Sequence, residues 1–93
     1  MTDINRLVVT LSNLDPLEDS SEAAREVAEQ VLSGVLKERW RASSEARKAA
    51  QIRDSANRLW AGYSSRLGGK ALTPRDAAYE AIQEELALLR NFQ

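Results

Sequence analysis

Cysteine and histidine are both absent from this chain of 93 residues. Without cysteine the chain has no disulfide and no thiolate to act as a nucleophile or metal ligand. Without histidine it lacks the usual general base and the commonest metal ligand. The remaining residue types do not assemble into a set of nucleophile, base and oxyanion donor. We therefore predict a non-enzymatic protein with no catalytic residue, no metal site and no cofactor.

Long apolar runs are also missing. The first apolar run, Leu7-Val8-Val9, is short and lies close to Asp3 and Arg6, which is typical of neither a signal peptide nor a membrane span. We therefore expect a cytoplasmic protein that does not associate with a membrane. The chain is short enough to form one domain, 1–93, which buries only about 60–65% of its unfolded surface and so benefits from a partner.

Proline is scarce, and none occurs between Pro16 and Pro74. The pattern predicts an all-α fold of three helices, over about 3–14, 21–67 and 74–91. A central helix of about 46 residues would be roughly 70 Å long, whereas a compact domain of this size has a radius of gyration of about 12 Å. Either the helix breaks, or a second copy covers it. The first candidate for a break is Ser33-Gly34 and the second is Ser43-Ser44, because these pairs disfavour helix.

Apolar side chains recur along the central stretch with a 3.5-residue spacing, which keeps one stripe facing one partner. We call this stripe the seam; its apolar members are Ala28, Leu32, Val35, Ala42, Ala46, Ala49, Ala56, Trp60, Tyr63 and Leu67. The inner face of an ordinary bundle helix gives the same pattern. The sequence favours a homo-oligomer that forms through the seam and completes a helical bundle, with parallel and antiparallel pairing both open. Leu36 and Trp40 lie off the seam and indicate a bend or a second contact face.

Charge is distributed unevenly along the chain. Residues 1–36 contain seven acidic and two basic residues, a net charge of −5. Residues 37–75 contain three acidic and ten basic residues, a net charge of +7. Residues 76–93 contain four acidic residues and one basic residue, a net charge of −3. This arrangement predicts that the acidic flanks face the basic centre, within one chain or between chains.

The basic centre is the candidate surface for a second partner. We predict that another protein contacts a surface that includes Leu88 and Phe92 together with Lys37, Trp40, Arg41, Arg47, Lys48, Arg58 and Arg66. In the alternative, the same cations bind the phosphates of a nucleic acid. Trp60 and Tyr63 lie on the seam, opposite the basic face, and so are poorly placed to stack on bases. We favour an adaptor, assembly factor or regulator over a nucleic-acid-binding protein.

The last predicted helix has a clear start at Thr73-Pro74, where threonine caps the helix and proline occupies its first turn. Helical spacing predicts a buried stripe of Ala78, Tyr79, Ile82, Leu86 and Leu89. The acids Asp76, Glu80 and Glu84 follow one another at four-residue spacing on another face.

Two short patterns resemble parts of known families. The triplet Trp60-Ala61-Gly62 resembles the W-x-G motif of small secreted helical-hairpin proteins, in which it lies in the turn between two helices. Here a separate helix stop, Gly68-Gly69, follows the triplet, so we do not assign that family. The spacing of Glu26 and Glu29 is similar to that of metal-binding acids in all-α nucleotide pyrophosphatases, but the second acidic pair is missing.

Overall fold

The computed structural model describes residues 4–13, 21–69 and 73–91. Nearly all of these residues belong to five helices: α1 (Ile4–Ser12), α2 (Ser21–Leu36), α3 (Glu38–Ala42), α4 (Glu45–Gly69) and α5 (Pro74–Asn91). The described ranges contain no strand, which confirms the all-α prediction. None of the described helices is both long and apolar enough to cross a membrane.

The predicted central helix is divided into α2, α3 and α4. Its first predicted break is wrong, because α2 continues through Ser33-Gly34 to Leu36. The chain instead turns at Lys37, whose φ of 52° is unusual for a residue with a side chain. The second break does occur at Ser43-Ser44. There the Ser44 hydroxyl accepts a hydrogen bond of 3.2 Å from the backbone N–H of Arg47 and caps α4.

Burial of Trp40 explains the turn at Lys37. The short helix α3 directs the Trp40 side chain into the core, where it is 7% exposed. A residue held in a sparsely populated backbone conformation costs about 1–3 kcal/mol. Loss of a buried tryptophan side chain costs about 3–5 kcal/mol. The burial of Trp40 can therefore offset the strain at Lys37, and the backbone N–H of Lys37 still donates to Ser33 O at 3.1 Å.

The five helices pack into one core. Helices α2 and α5 both pack on α4, and α1 packs on α5 and α2. The largest fully buried side chains come from four helices: Leu11, Val27, Val31, Leu32, Leu59, Tyr63 and Ile82. The Tyr63 hydroxyl donates a hydrogen bond of 3.2 Å to Ser12 O, which places the C-terminal part of α4 beside the end of α1. The radius of gyration is 12.7 Å, close to the value expected for a compact domain of this length.

The seam is not one continuous surface. In α2, Ala28 and Leu32 are buried, and in α4, Ala56 and Tyr63 are buried, all within the same subunit. Val35, Trp60 and Leu67 are half-buried. The four buried residues are therefore covered within the subunit, and the three half-buried residues keep only part of their surface accessible. The exposed part of the seam is Ala42, Ala46 and Ala49, together with the two arginines of the same register, Arg39 and Arg53.

The start of α5 has the predicted chemistry. The Thr73 hydroxyl accepts a hydrogen bond of 3.2 Å from the backbone N–H of Asp76 and donates one of 2.8 Å to its carboxylate. In the predicted stripe, Ala78, Ile82 and Leu89 are buried and Leu86 is half-buried. The prediction for Tyr79 is wrong, because its side chain is 47% exposed.

Candidate functional site

Basic side chains collect at one end of the bundle. This end is formed by the start of α1, the last turns of α2 and α5, the whole of α3, and the start of α4. We call it the basic end; its exposed cations are Arg6, Lys37, Arg39, Arg41, Arg47 and Arg90. Two of them, Lys37 and Arg90, lie at or just beyond the C-termini of α2 and α5, where a cation is favoured by the helix dipole.

A groove of about 950 Å³ opens at the basic end between α1, α2 and α5. We call it the basic groove. Its apolar wall consists of Ile4, Leu7, Val31, Val35 and Leu86, and its cations are Arg6, Lys37 and Arg90. The other residues that line it are uncharged: Gln30, Ser33, Gly34 and Gln83. No acidic residue lines the groove among the residues that the structure describes.

The field of the basic groove is positive. None of Arg6, Lys37 and Arg90 forms an ion pair with a described carboxylate. The C-termini of α2 and α5 contribute partial charges of about −0.5 each, and the N-terminus of α1 contributes about +0.5. Added to three full cations, these partial charges leave a local charge of roughly +2.5. The groove thus combines apolar surface with three cations that form no ion pair with a described side chain.

A second groove, of about 600 Å³, lies on the other side of the α2 C-terminus, against α3, α4 and Leu89. Its cations are Arg39, Arg47 and Arg58, and Asp54 supplies one acid. Gln51 also lines it, and the Gln51 Oε1 atom is buried without a hydrogen-bond donor from the described residues. Because Arg58 is paired with an acid of α5 and Asp54 is present, this groove is less positive than the basic groove.

The basic residues predicted as one surface are divided by the fold. Lys37 and Arg47 are exposed at the basic end, and neither forms an ion pair with a described residue. Arg41 is exposed and pairs with Glu38 of its own helix at 3.2 Å. Lys48 is half-buried and places its ammonium 5.8 Å from the centre of the Trp40 ring.

The last two predicted cations, Arg58 and Arg66, turn toward α5. Arg66 donates to the Glu84 carboxylate and, over 3.1 Å, to Gly62 O. The Arg58 guanidinium donates to both carboxylate oxygens of Glu85. These contacts place acids of the last helix against the basic centre within one chain. They also mean that a phosphate would have to compete with carboxylates for both arginines.

Sequence reasoning missed the buried carboxylate of Glu85. It is 3% exposed and accepts a hydrogen bond of 2.7 Å from the hydroxyl of Ser55, which is fully buried. The hydrogen bonds that Arg58 donates to Glu85 raise the pKa of Arg58, against the opposing effect of burial, and the charges of Glu85 and Asp54 raise it further. Since Ser55 and Glu85 come from α4 and α5, the cluster sets the register of these two helices. Glu85 is within the helical period of Ile82 and Leu89, and that position was the available signal.

The other predicted surface residues are placed differently. The prediction that Trp40 contacts a partner is wrong, because its ring is buried in the core of its own subunit. Leu88 is half-buried, and Phe92 lies outside the described residues. Arg6 and Arg90 were not predicted as part of the surface. They are far from residues 37–66 in sequence and line the same groove as Lys37 only because α1 and α5 pack beside α2.

The short patterns that resembled known families have ordinary structural settings. The triplet Trp60-Ala61-Gly62 lies inside α4, not in a turn. A Cβ atom on Gly62 would be 3.5 Å from the Ala81 Cβ atom, an ordinary van der Waals distance, and 3.1 Å from Arg66 Nη1 in the same helix. In the described ranges, no group of three or more acids lies close enough together to hold a metal ion.

Comparisons with known proteins give no further indication of function. No protein family matches this sequence, and neither a curated protein nor a solved structure matches it.

Proposed function

We propose that this protein is a non-enzymatic helical interaction module that binds another protein through its basic end. The proposal rests on the basic groove, in which three exposed cations lie beside an apolar wall and no described acid belongs to the lining. A combination of apolar surface and unneutralised charge of one sign is suited to a partner of complementary charge. An adaptor, an assembly factor and a regulator would all use such a surface.

The proposal is tested by cross-linking the full chain to its neighbours in extract of its native cells. Two variants are compared with the natural chain: one carries Arg6→Gln, Lys37→Gln and Arg90→Gln, and the other carries Arg25→Gln, Arg53→Gln and Arg75→Gln. Both remove three exposed cations, but only the first removes them from the basic end. We expect cross-links from α1, the end of α2 and the end of α5 to one protein, lost in the first variant and kept in the second. Equal cross-linking by both variants would contradict the proposal.

Nucleic acid is the second candidate partner, because six cations are exposed at the basic end. Phosphate binding predicts an affinity for duplex or single-stranded DNA that falls steeply with salt, with a slope of about 0.7–0.9 per phosphate neutralised. Four of the cations originally expected to bind phosphates contact Glu38, Trp40, Glu84 or Glu85 instead. We therefore expect only weak binding at low salt, and tight binding with a steep salt slope would favour nucleic acid over protein.

The first argument for the predicted homo-oligomer was a central helix too long for one subunit to cover. It does not hold, because the central helix folds back on itself and covers its own apolar residues. Self-association through the seam has one exposed stretch left, around Ala42, Ala46 and Ala49. Light scattering at micromolar concentration tests it directly. The prediction requires a dimer or larger assembly for the natural chain and a monomer for Ala46→Glu. A monomeric natural chain ends the prediction without affecting the proposed partner at the basic end.

A further inference from the structure

We infer that the basic groove accommodates an amphipathic helix of acidic character from a partner protein. This inference rests on the proposed function and specifies the chemistry of the partner. The groove lies between α1 on one side and the C-terminal halves of α2 and α5 on the other. A helix laid into such a groove buries one apolar face and leaves its flanks at the rim, where the cations are.

The apolar wall determines which face of the partner enters. Leu7 and Val31 are nearly inaccessible and form the bottom of the groove. Ile4, Val35 and Leu86 are only half-buried, so their remaining surface is available for contact. An apolar side chain that covers this surface removes it from water, which favours binding. This contribution requires an apolar stripe on the partner and does not arise from charge alone.

The cations determine the charge of the partner. Arg6 comes from α1, Lys37 follows α2, and Arg90 belongs to the last turn of α5, so each element that frames the groove contributes one exposed cation. Carboxylates on both flanks of an incoming helix would therefore meet a cation on either side. Basic partners are disfavoured, since they would meet three like charges.

The same features argue against nucleic acid and membrane in this groove. Its lining contains no aromatic side chain among the described residues, so bases would have nothing to stack on. A phosphate backbone would leave Ile4, Val35 and Leu86 in contact with water. A lipid headgroup layer is broad, whereas the apolar wall is recessed between helices.

The test uses the full chain and three labelled peptides of about 14 residues, roughly 21 Å as a helix. The first places leucine at i, i+3, i+4 and i+7 spacing and glutamate elsewhere. The second has the same composition in an order that forms no apolar face. In the third, lysine replaces every glutamate. Fluorescence anisotropy at low salt should give a Kd on the order of 10–100 μM for the first peptide. The second should bind roughly tenfold more weakly, and the third should not bind.

The two triple variants then locate the site. We expect the variant without Arg6, Lys37 and Arg90 to bind the first peptide roughly tenfold more weakly, and the variant without Arg25, Arg53 and Arg75 to change its affinity less than about twofold. Circular dichroism establishes that both variants fold. If the first variant does not fold, amide shifts of the natural chain on peptide addition replace it, and they must fall on α1 and the ends of α2 and α5.

Several results would overturn the inference. They are absence of binding by the first peptide, equal binding of the rearranged peptide, an equal loss in both variants, and tighter binding of DNA or of phosphatidylglycerol vesicles through the same three cations. The first peptide could fail to bind while the full chain still cross-links to a protein at the basic end. That result would reject the acidic amphipathic helix as the partner and would agree with the proposed function.

Discussion

The guanidinium of Arg58 and the carboxylate of Glu85 form a two-pronged ion pair, with Nε–Oε1 and Nη2–Oε2 distances of 2.7 Å each. The Glu85 side chain is 3% exposed, whereas that of Arg58 is 43% exposed. The carboxylate is thus the buried partner, and Ser55 supplies its other hydrogen bond. A charge this deeply buried is stable only when paired and hydrogen-bonded. The ion pair therefore holds α4 and α5 together in one register.

Arg58→Ala should lower the free energy of unfolding by about 2 kcal/mol, because it leaves a buried carboxylate without its charge partner. This is less than for a fully buried pair, since water reaches the Arg58 side of the contact. Ser55→Ala should cost about 1 kcal/mol, the usual contribution of one hydrogen bond. Urea denaturation of both single variants and of the double variant measures the coupling between the two residues. Exposed Arg53→Ala is the control, and an equal loss in that variant would contradict the assigned role of Arg58.

Tyr63 should make folding sensitive to alkaline pH. Burial raises the pKa of Tyr63 above its ordinary value of 10.0. The folded state therefore favours the neutral phenol, and the unfolded state loses the proton first. The stabilisation is complete below pH 10.0 and is lost as pH rises through the pKa of the folded state. Denaturation curves on both sides of that pH should show a larger loss for the natural chain than for Tyr63→Phe. An identical pH dependence in the two proteins would refute this assignment.

Lys37→Gly should stabilise the fold by about 1 kcal/mol, because glycine adopts a positive φ without the strain of a Cβ atom. The present φ of Lys37 is 52°. Lys37→Ala is the matched control, since it removes the same charge but keeps the Cβ atom. Thermal unfolding should show a higher midpoint for the glycine variant than for the alanine variant. Equal midpoints would mean that the backbone at this position is not strained.

Trp40→Ala should destabilise the protein by about 3 kcal/mol, since it leaves a large cavity under α3. Lys48→Ala removes the cation above the ring and its exposed ion pair of 3.8 Å with Glu45, and should cost less than about 1 kcal/mol. Chemical denaturation, followed by circular dichroism, compares the two. A Trp40→Ala variant as stable as the natural chain would mean that the indole is a surface group, as the sequence alone had indicated.

Patterns that depend on neighbours along the chain were predictable. The Thr73-Pro74 start of α5 was read correctly, because a capping hydroxyl and a first-turn proline act within four residues. The break at Ser43-Ser44 was found for the same local reason. The turn at Lys37 was indicated only as one of two alternatives, by the off-seam positions of Leu36 and Trp40. Lysine is a good helix former, and only the distant core that receives Trp40 makes the turn favourable.

The candidate site was predictable only in part. Lys37 and Arg47 were recognised as cations of a possible surface, and both are exposed at the basic end. Arg6 and Arg90, which also belong to the basic end, were not recognised, because no local pattern links the first helix to the last. Glu85 resembled the exposed acids beside it, and its burial follows from the packing of α5 on α4.

The sequence by itself determined that the chain is helical, where its last helix begins, and that it carries neither thiol nor imidazole, because composition, periodicity and capping act locally. Tertiary structure decided that the central helix continues through Ser33-Gly34 and turns at Lys37, and which charges are neutralised. It also decided which cations gather beside an apolar groove. These outcomes depend on burial and on contacts between residues far apart in the chain. The spacing of apolar residues along one helix contains no information about either.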